Sequence, residues 1–344
     1  MAYKGVLSDI RACVEMRKPE RIPVFAMSEE FDVKWHGKYT YEEVATNADK
    51  LVEVWSAAIR EFDYDWAWIQ LDDCIEFEVL GVGCVGSGNI LRATRDYLPA
   101  EKETLKKLKM PDPEKSGRMP MKLEAIRRLK DAFGDTICVV GGNAAPYSSA
   151  GLLYGLEKPM MMMFEDPELL KDTIDFFVEL QTRWGLAQIK AGADAIWLGD
   201  CNAFSGMLSP KQYREFAFTP CQKVVTAYKK AGGMTFLHNS EISLPHIALE
   251  CELGVDVISI GPGADFAQVK AATEGKTCIM GNLDPIEVLL KGSPELVARE
   301  VERIMAIGKK GAGYIFDDGE MIPRDVPVEN MRALMKTAKA LSAV

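Results

Sequence analysis

The sequence predicts an α/β fold, a parallel eight-stranded (β/α)8 TIM barrel, on three observations. Eight short apolar runs alternate with helix-length segments along 344 residues, the order expected of repeated β-α units. The runs lack polar–apolar alternation, as strands covered on both faces do. The first run leads into Ser28-Glu29-Glu30 rather than the G-x-G-x-x-G turn that an open dinucleotide-binding sheet would want.

Taken in order, residues 5–16 read as an N-terminal amphipathic helix, and residues 22–27 as the first strand. A helix over 41–62 carries Val44, Ala48, Leu51, Val54, Trp55 and Ala58 at helical spacing. The second strand, 65–71, ends in Asp72-Asp73, and the Gly-rich stretch 74–109 is a small excursion carrying a hairpin. A helix at 119–133 precedes the third strand, 137–140, which ends in Gly141-Gly142-Asn143. A Met-rich loop holding Met160 to Met163 follows, and Asp166-Pro167-Glu168 caps a long helix that stops near Gly192. The fourth strand, 195–198, ends in Gly199-Asp200. Ser209-Pro210 opens a helix that closes at Gly232-Gly233, and the fifth strand, 234–237, delivers His238, Asn239 and Glu241. Strands six to eight fall at 255–260, 277–280 and 314–316. Asp284 and Ser293, each before a proline, read as helix N-caps, and Met331, Leu334 and Met335 form the inner face of the last helix. No fixed repeat, low-complexity tract or linker divides residues 1–344, so one domain is expected.

A net charge of −10 argues against nucleic acid as a partner, because phosphate binding needs clustered lysine and arginine. Eight cysteines without a C-x-x-C pair read as reduced thiols of a cytoplasmic protein. No apolar run approaches a membrane span, so no membrane role is expected.

Chemistry in such barrels sits at the C-terminal strand ends. Those tips are acidic here: Glu29, Glu30, Asp72, Asp73, Asp200, Glu241, Asp284, Asp317, Asp318 and Glu320, joined by Asn143, Asn202, Asn239, Asn282 and His238. Crowded carboxylates repel unless a cation or a donor network offsets them. Zinc held by histidine and carboxylates is one solution. No G-x-S-x-G occurs and no cysteine stands convincingly by a histidine; Cys201 reads as a buried small hydrophobe, and Trp66, Trp68 and Trp197 as barrel packing.

Several segments together resemble the uroporphyrinogen decarboxylase superfamily. These are Ala191-Gly192-Ala193-Asp194-Ala195, Leu208-Ser209-Pro210 with Tyr213-Arg214-Glu215-Phe216, Leu237-His238, Gly254-Val255-Asp256-Val257, Gly281-Asn282-Leu283-Asp284-Pro285 and Gly313-Tyr314-Ile315-Phe316 with Pro327-Val328-Glu329-Asn330. The resemblance implies a (β/α)8 barrel and aligns Asp72 with the decarboxylases' central aspartate. Decarboxylases, however, carry Arg-Gln-Ala-Gly-Arg-Tyr after the first strand, where this chain has Ser28-Glu29-Glu30-Phe31. Acids in place of arginines would repel a polycarboxylate. Coenzyme M methyltransferases of the superfamily show His-x-Cys and a later cysteine on zinc; here His238 remains, while Ser240 and Asp317-Asp318 replace the thiolates.

The chain is more similar to the O-demethylase methyltransferases, whose zinc patterns of two carboxylates and a histidine are matched in order by Asp200, Glu215 and His238. The resemblance therefore implies a methyltransferase acting on a small methylated donor, such as a methoxylated aromatic. The acceptor would be the cob(I)alamin of a separate corrinoid protein. His238, Asp200 and Asp72 are the expected catalytic residues. Glu29, Asn143, Asn239, Asn282, Asp317 and Glu320 would meet the substrate, and a homodimer is one assembly to expect. The alternatives are a decarboxylase or lyase acting on a non-porphyrin acid through Asp72 and His238, and a non-catalytic ligand-binding barrel.

Overall fold

The computed structural model describes residues 3–344. Among them, seven strands form one parallel sheet: β1 (Trp66–Trp68), β4 (Cys138–Ala144), β5 (Ala195–Gly199), β6 (Met234–Glu241), β7 (Val257–Ile260), β8 (Cys278–Met280) and β9 (Tyr314–Ile315). The spatial order follows the chain, β1-β4-β5-β6-β7-β8-β9. Between β1 and β4 the strands β2 (Gly83–Val85) and β3 (Ala93–Asp96) pair antiparallel as a separate ribbon. The sheet is curled: Phe25 and Phe236, from distant parts of its order, bring their rings within 6.2 Å.

Residues 22–27 lie between the two edge strands without forming a regular strand of their own. Val24 makes one parallel bridge to Phe316. On that side the Phe25 N–H donates to the Phe316 carbonyl (2.9 Å) and the Phe316 N–H to the Pro23 carbonyl (3.0 Å); on the other, the Asp65 N–H donates to the Val24 carbonyl (3.0 Å). The ladder is irregular for two reasons. Pro23 has no N–H to contribute, and the Val24 N–H donates to the Asp65 side chain (2.8 Å) instead of a neighbouring carbonyl.

The helices differ from expectation in three places. The 41–62 segment is two helices, Tyr41–Ala45 and Ala48–Phe62, because extended Asn47 breaks the first and caps the second at the Lys50 N–H. The polar run after residues 22–27 is itself a helix, Glu29–His36. Its acids sit in the first turn, its basic groups in the last, and Gly37 ends it at φ 70°, an order that suits the helix dipole. The Met-rich stretch is helix Glu157–Glu165, burying Met162 and Met163 and turning Phe164 outward.

Where side-chain chemistry fixes the boundary locally, expectation and structure agree. Ser209 forms a capping box with Gln212, Asp284 accepts from the Ile286 and Glu287 N–H groups, and Ser293 caps Pro294–Gly308. Among the described residues no helix is long and apolar enough to cross a membrane.

Candidate active site

Period-two alternation along β5 and β6 divides the predicted site into two faces. Gly199 and His238 are register partners, and the Asp200 N–H donates to the His238 carbonyl at 2.7 Å. The Trp197 ring stacks on the His238 ring at 4.8 Å. Trp197 also packs against Trp68 and Trp66, and Trp66 against Phe25, so these rings fill the inside of the curl. Asp200, the next residue after Gly199, turns the other way. It accepts from Ser148 Oγ (2.7 Å) on helix Pro146–Tyr154. Histidine and aspartate are backbone neighbours whose side chains occupy opposite sides of the sheet.

His238 finds its carboxylate elsewhere. Its Nε2 lies 3.5 Å from Glu320 Oε1, and Nδ1 lies 3.0 Å from Ser259 Oγ. Burial pulls the imidazole pKa down, but hydrogen bonding to the Cys201 thiol and the Glu320 carboxylate outweighs it, and the pKa stands at about 10. Burial likewise pushes Glu320 up, yet His238, the Ser240 hydroxyl and the Met321 N–H together hold it at about 2. At neutral pH the pair is imidazolium and carboxylate, with both ring nitrogens donating. Cys201 is exposed and beside the imidazole, which corrects its reading as a buried hydrophobe.

The other tip residues are mostly committed to holding backbone or partners. Asp72 is clamped bidentate by Arg118 (2.7 and 2.8 Å) and caps the Cys74 N–H, so it braces the loop after β1. Its neighbour Asp73 is open to solvent; its carboxyl accepts from Gln70 Nε2 at 3.2 Å and is raised by the protein crowded around it. Buried Glu29 accepts from the Gln70 and Leu71 N–H groups, and burial lifts it to about 8 despite those bonds. Glu29 therefore supports the turn that presents Asp73.

Asn143 donates to the Gln181 carbonyl and to Tyr228, Asn239 to Glu250, and Asn282 to the Gly261 and Ala264 carbonyls. Asp317 is buried with neither oxygen partnered among the described residues, and burial with the adjacent Asp318 drives its carboxyl far above the usual range. Asp318 accepts from the Met27 N–H.

The expected metal triad does not assemble. His238 faces the inside of the curl, Asp200 the surrounding helices, and Glu215 is exposed on the segment Tyr213–Phe218, 3.9 Å from Lys171. Among the described residues no three His, Cys, Asp or Glu side chains are grouped to hold a metal. Zinc on those three residues does not fit this geometry. The nearby cations are engaged as well: Arg118 by Asp72 and Glu78, Arg92 by Glu78, and Lys122 by the Gly142 carbonyl beneath the surface.

The family model for uroporphyrinogen decarboxylase matches residues 8–341. The chain belongs to the uroporphyrinogen decarboxylase family. Among its relatives, the uroporphyrinogen decarboxylase of Psychromonas ingrahamii is 29% identical, over 86% of this chain and 84% of the relative. That of Carboxydothermus hydrogenoformans is 27% identical, over 92% and 90%. In structure the chain is similar to a methyltransferase from Methanosarcina mazei, with a TM-score of 0.88 at 20% identity, covering 97% of this chain and 98% of that one. At that identity the likeness speaks for the fold. Within this family frame the sequence pointed to His238 and Glu320 but not to their pairing. It missed Cys201 and Ser240 as neighbours of the pair, and it did not show that Asp72 is clamped by Arg118 while Asp73 reaches solvent. Counting alternate residues from Trp197 would have separated Asp200 from His238.

Proposed function

We propose that this chain is a methyltransferase moving a methyl group from a small methylated donor, of the methoxylated aromatic class, to the cob(I)alamin of a separate corrinoid protein. The observation that carries the reading is the His238 imidazolium, held by Glu320 and Ser259 and laid against the Trp197 ring. Demethylating an aryl ether needs one proton at the leaving oxygen, and a cationic imidazole beside an aromatic surface supplies it. The corrinoid supplies the nucleophile that takes the methyl group. His238 gives its Nε2 or Nδ1 proton to the departing oxygen, so a neutral phenol leaves rather than a phenolate. Glu320 keeps the ring charged and oriented beforehand. Trp68 Nε1 and Gln70 Oε1, both buried and unpartnered among the described residues, offer a donor and an acceptor to a guest.

Two further features support the reading. The cations around the site are already paired, which disfavours a substrate with many carboxylates. The exposed Ile242, Ile286, Leu156, Met161 and Phe164 all lie in connections leaving C-terminal strand ends, which suits a partner protein seated over that end. The Methanosarcina neighbour is a methyltransferase, which agrees with methyl transfer, whereas the relatives from Psychromonas and Carboxydothermus are decarboxylases. The test is phenol release from a panel of aryl methyl ethers in the presence of a reduced corrinoid protein. We expect release that depends on that protein and is lost in His238→Ala. Carbon dioxide release from an aromatic acid without any corrinoid protein would instead establish a carboxy-lyase.

A further inference from the structure

A second cleft lies at the opposite end of the sheet, where the chain enters its strands. It encloses about 400 Å³ beside Asp65 and Ile137, which immediately precede β1 and β4, a volume in the range of small-ligand sites. Three cations and two carboxylates line it: Arg21, Arg60 and Lys339 against Asp63 and Asp65. Lys339 is neutralised by both acids, at 2.6 Å from Asp65 and 3.3 Å from Asp63.

The two guanidinium groups are not neutralised. Among the described residues neither Arg21 nor Arg60 has a carboxylate within ion-pair distance, although the whole chain carries a net charge of −10. Each guanidinium carbon instead lies over an aromatic ring: Arg21 at 4.4 Å from the centre of Tyr3, and Arg60 at 5.3 Å from that of Phe133. The aromatic contact restrains each guanidinium without consuming its N–H donors. Arg21 spends its Nε on Ser342 Oγ (3.2 Å), which leaves its two terminal nitrogens. The planar fork of a guanidinium takes a carboxylate or phosphate through paired hydrogen bonds.

We propose that this cleft is a binding site for a small flat aromatic anion, a carboxylate or phosphate ester, taken by Arg21 and Arg60 with its ring among Tyr3, Tyr64 and Phe133. The site is remote from His238, and the proposal does not depend on the methyl-transfer reading.

The test is isothermal titration calorimetry of the full chain at low ionic strength with phenyl phosphate, benzoate and inorganic phosphate. We expect saturable binding of at least one ring-bearing anion, one per chain, and inorganic phosphate weaker by about tenfold or more. Arg60→Ala, an exposed position where folding is not at stake, should weaken binding by about tenfold, with only part of it restored in Arg60→Lys. His238→Ala should leave it unchanged. Absence of saturable binding for all three probes would overturn the proposal. So would affinity unaffected by Arg60→Ala, or inorganic phosphate binding as tightly as phenyl phosphate.

Discussion

At the scale of single residues, the His238–Glu320 pair makes a prediction about stability and pH. His238 is raised from 6.5 to about 10, so its contribution is complete below pH 6.5 and is lost as pH rises through 10. Glu320 is lowered from 4.5 to about 2, so its share is complete above pH 4.5 and is lost as pH falls through 2. The stability difference between wild type and Glu320→Gln, followed by urea unfolding, should therefore be greatest between those two ordinary values and shrink toward both extremes. A difference that grows on the alkaline side would contradict the pairing. Asp72 gives a contrasting case. Removing the bidentate partner of a largely buried guanidinium leaves Arg118 with Glu78 alone and strips the Cys74 N–H of its acceptor, so Asp72→Ala should lose about 2 kcal/mol of stability. A variant of wild-type stability that had merely lost turnover would restore Asp72 to the catalytic role the sequence suggested.

At the scale of elements, legibility followed how local the cause was. Ser209, Asp284 and Ser293 were readable as caps because each acts on N–H groups two or three residues away. The irregular seam at residues 22–27 was legible only in part: Pro23 announces a missing N–H, but the Asp65 side chain reaching across to Val24 shows only in three dimensions. Asp72–Arg118 and Ser240–Glu320, 46 and 80 residues apart, were hidden for the same reason. The facing of Asp200 was within reach, since alternation from Trp197 alone assigns it. Asp65 also receives Lys339 Nζ at 2.6 Å, so it ties the seam to the last helix, Val328–Leu341. Asp65→Ala should therefore destabilise the fold by about 3 kcal/mol and speed amide exchange first at residues 22–27. Uniform protection across that segment in the variant would show that the seam stands without it.

At the scale of the whole molecule, the curled sheet gives each end a different character. Solvent-open Asp73 and Cys201 and the His238–Glu320 pair gather at the end where the strands leave, and Arg21 and Arg60, without a carboxylate partner among the described residues, at the end where they begin. Among the described residues, eight of the nine large exposed apolar side chains lie in connections from the first end, Val344 being the exception. If a corrinoid protein covers that end, Phe164→Glu should raise the KM for the partner while stability stays within about 0.5 kcal/mol of wild type. An unchanged KM would move the partner's footprint elsewhere. The claim beneath all of this is that one imidazole carries a ready proton against an aromatic wall. Nitrogen-15 NMR titration of His238 measures it directly. The imidazolium should persist through pH 8 in the wild type and titrate at lower pH in Glu320→Gln. Titration near 6.5 in both proteins would contradict the account.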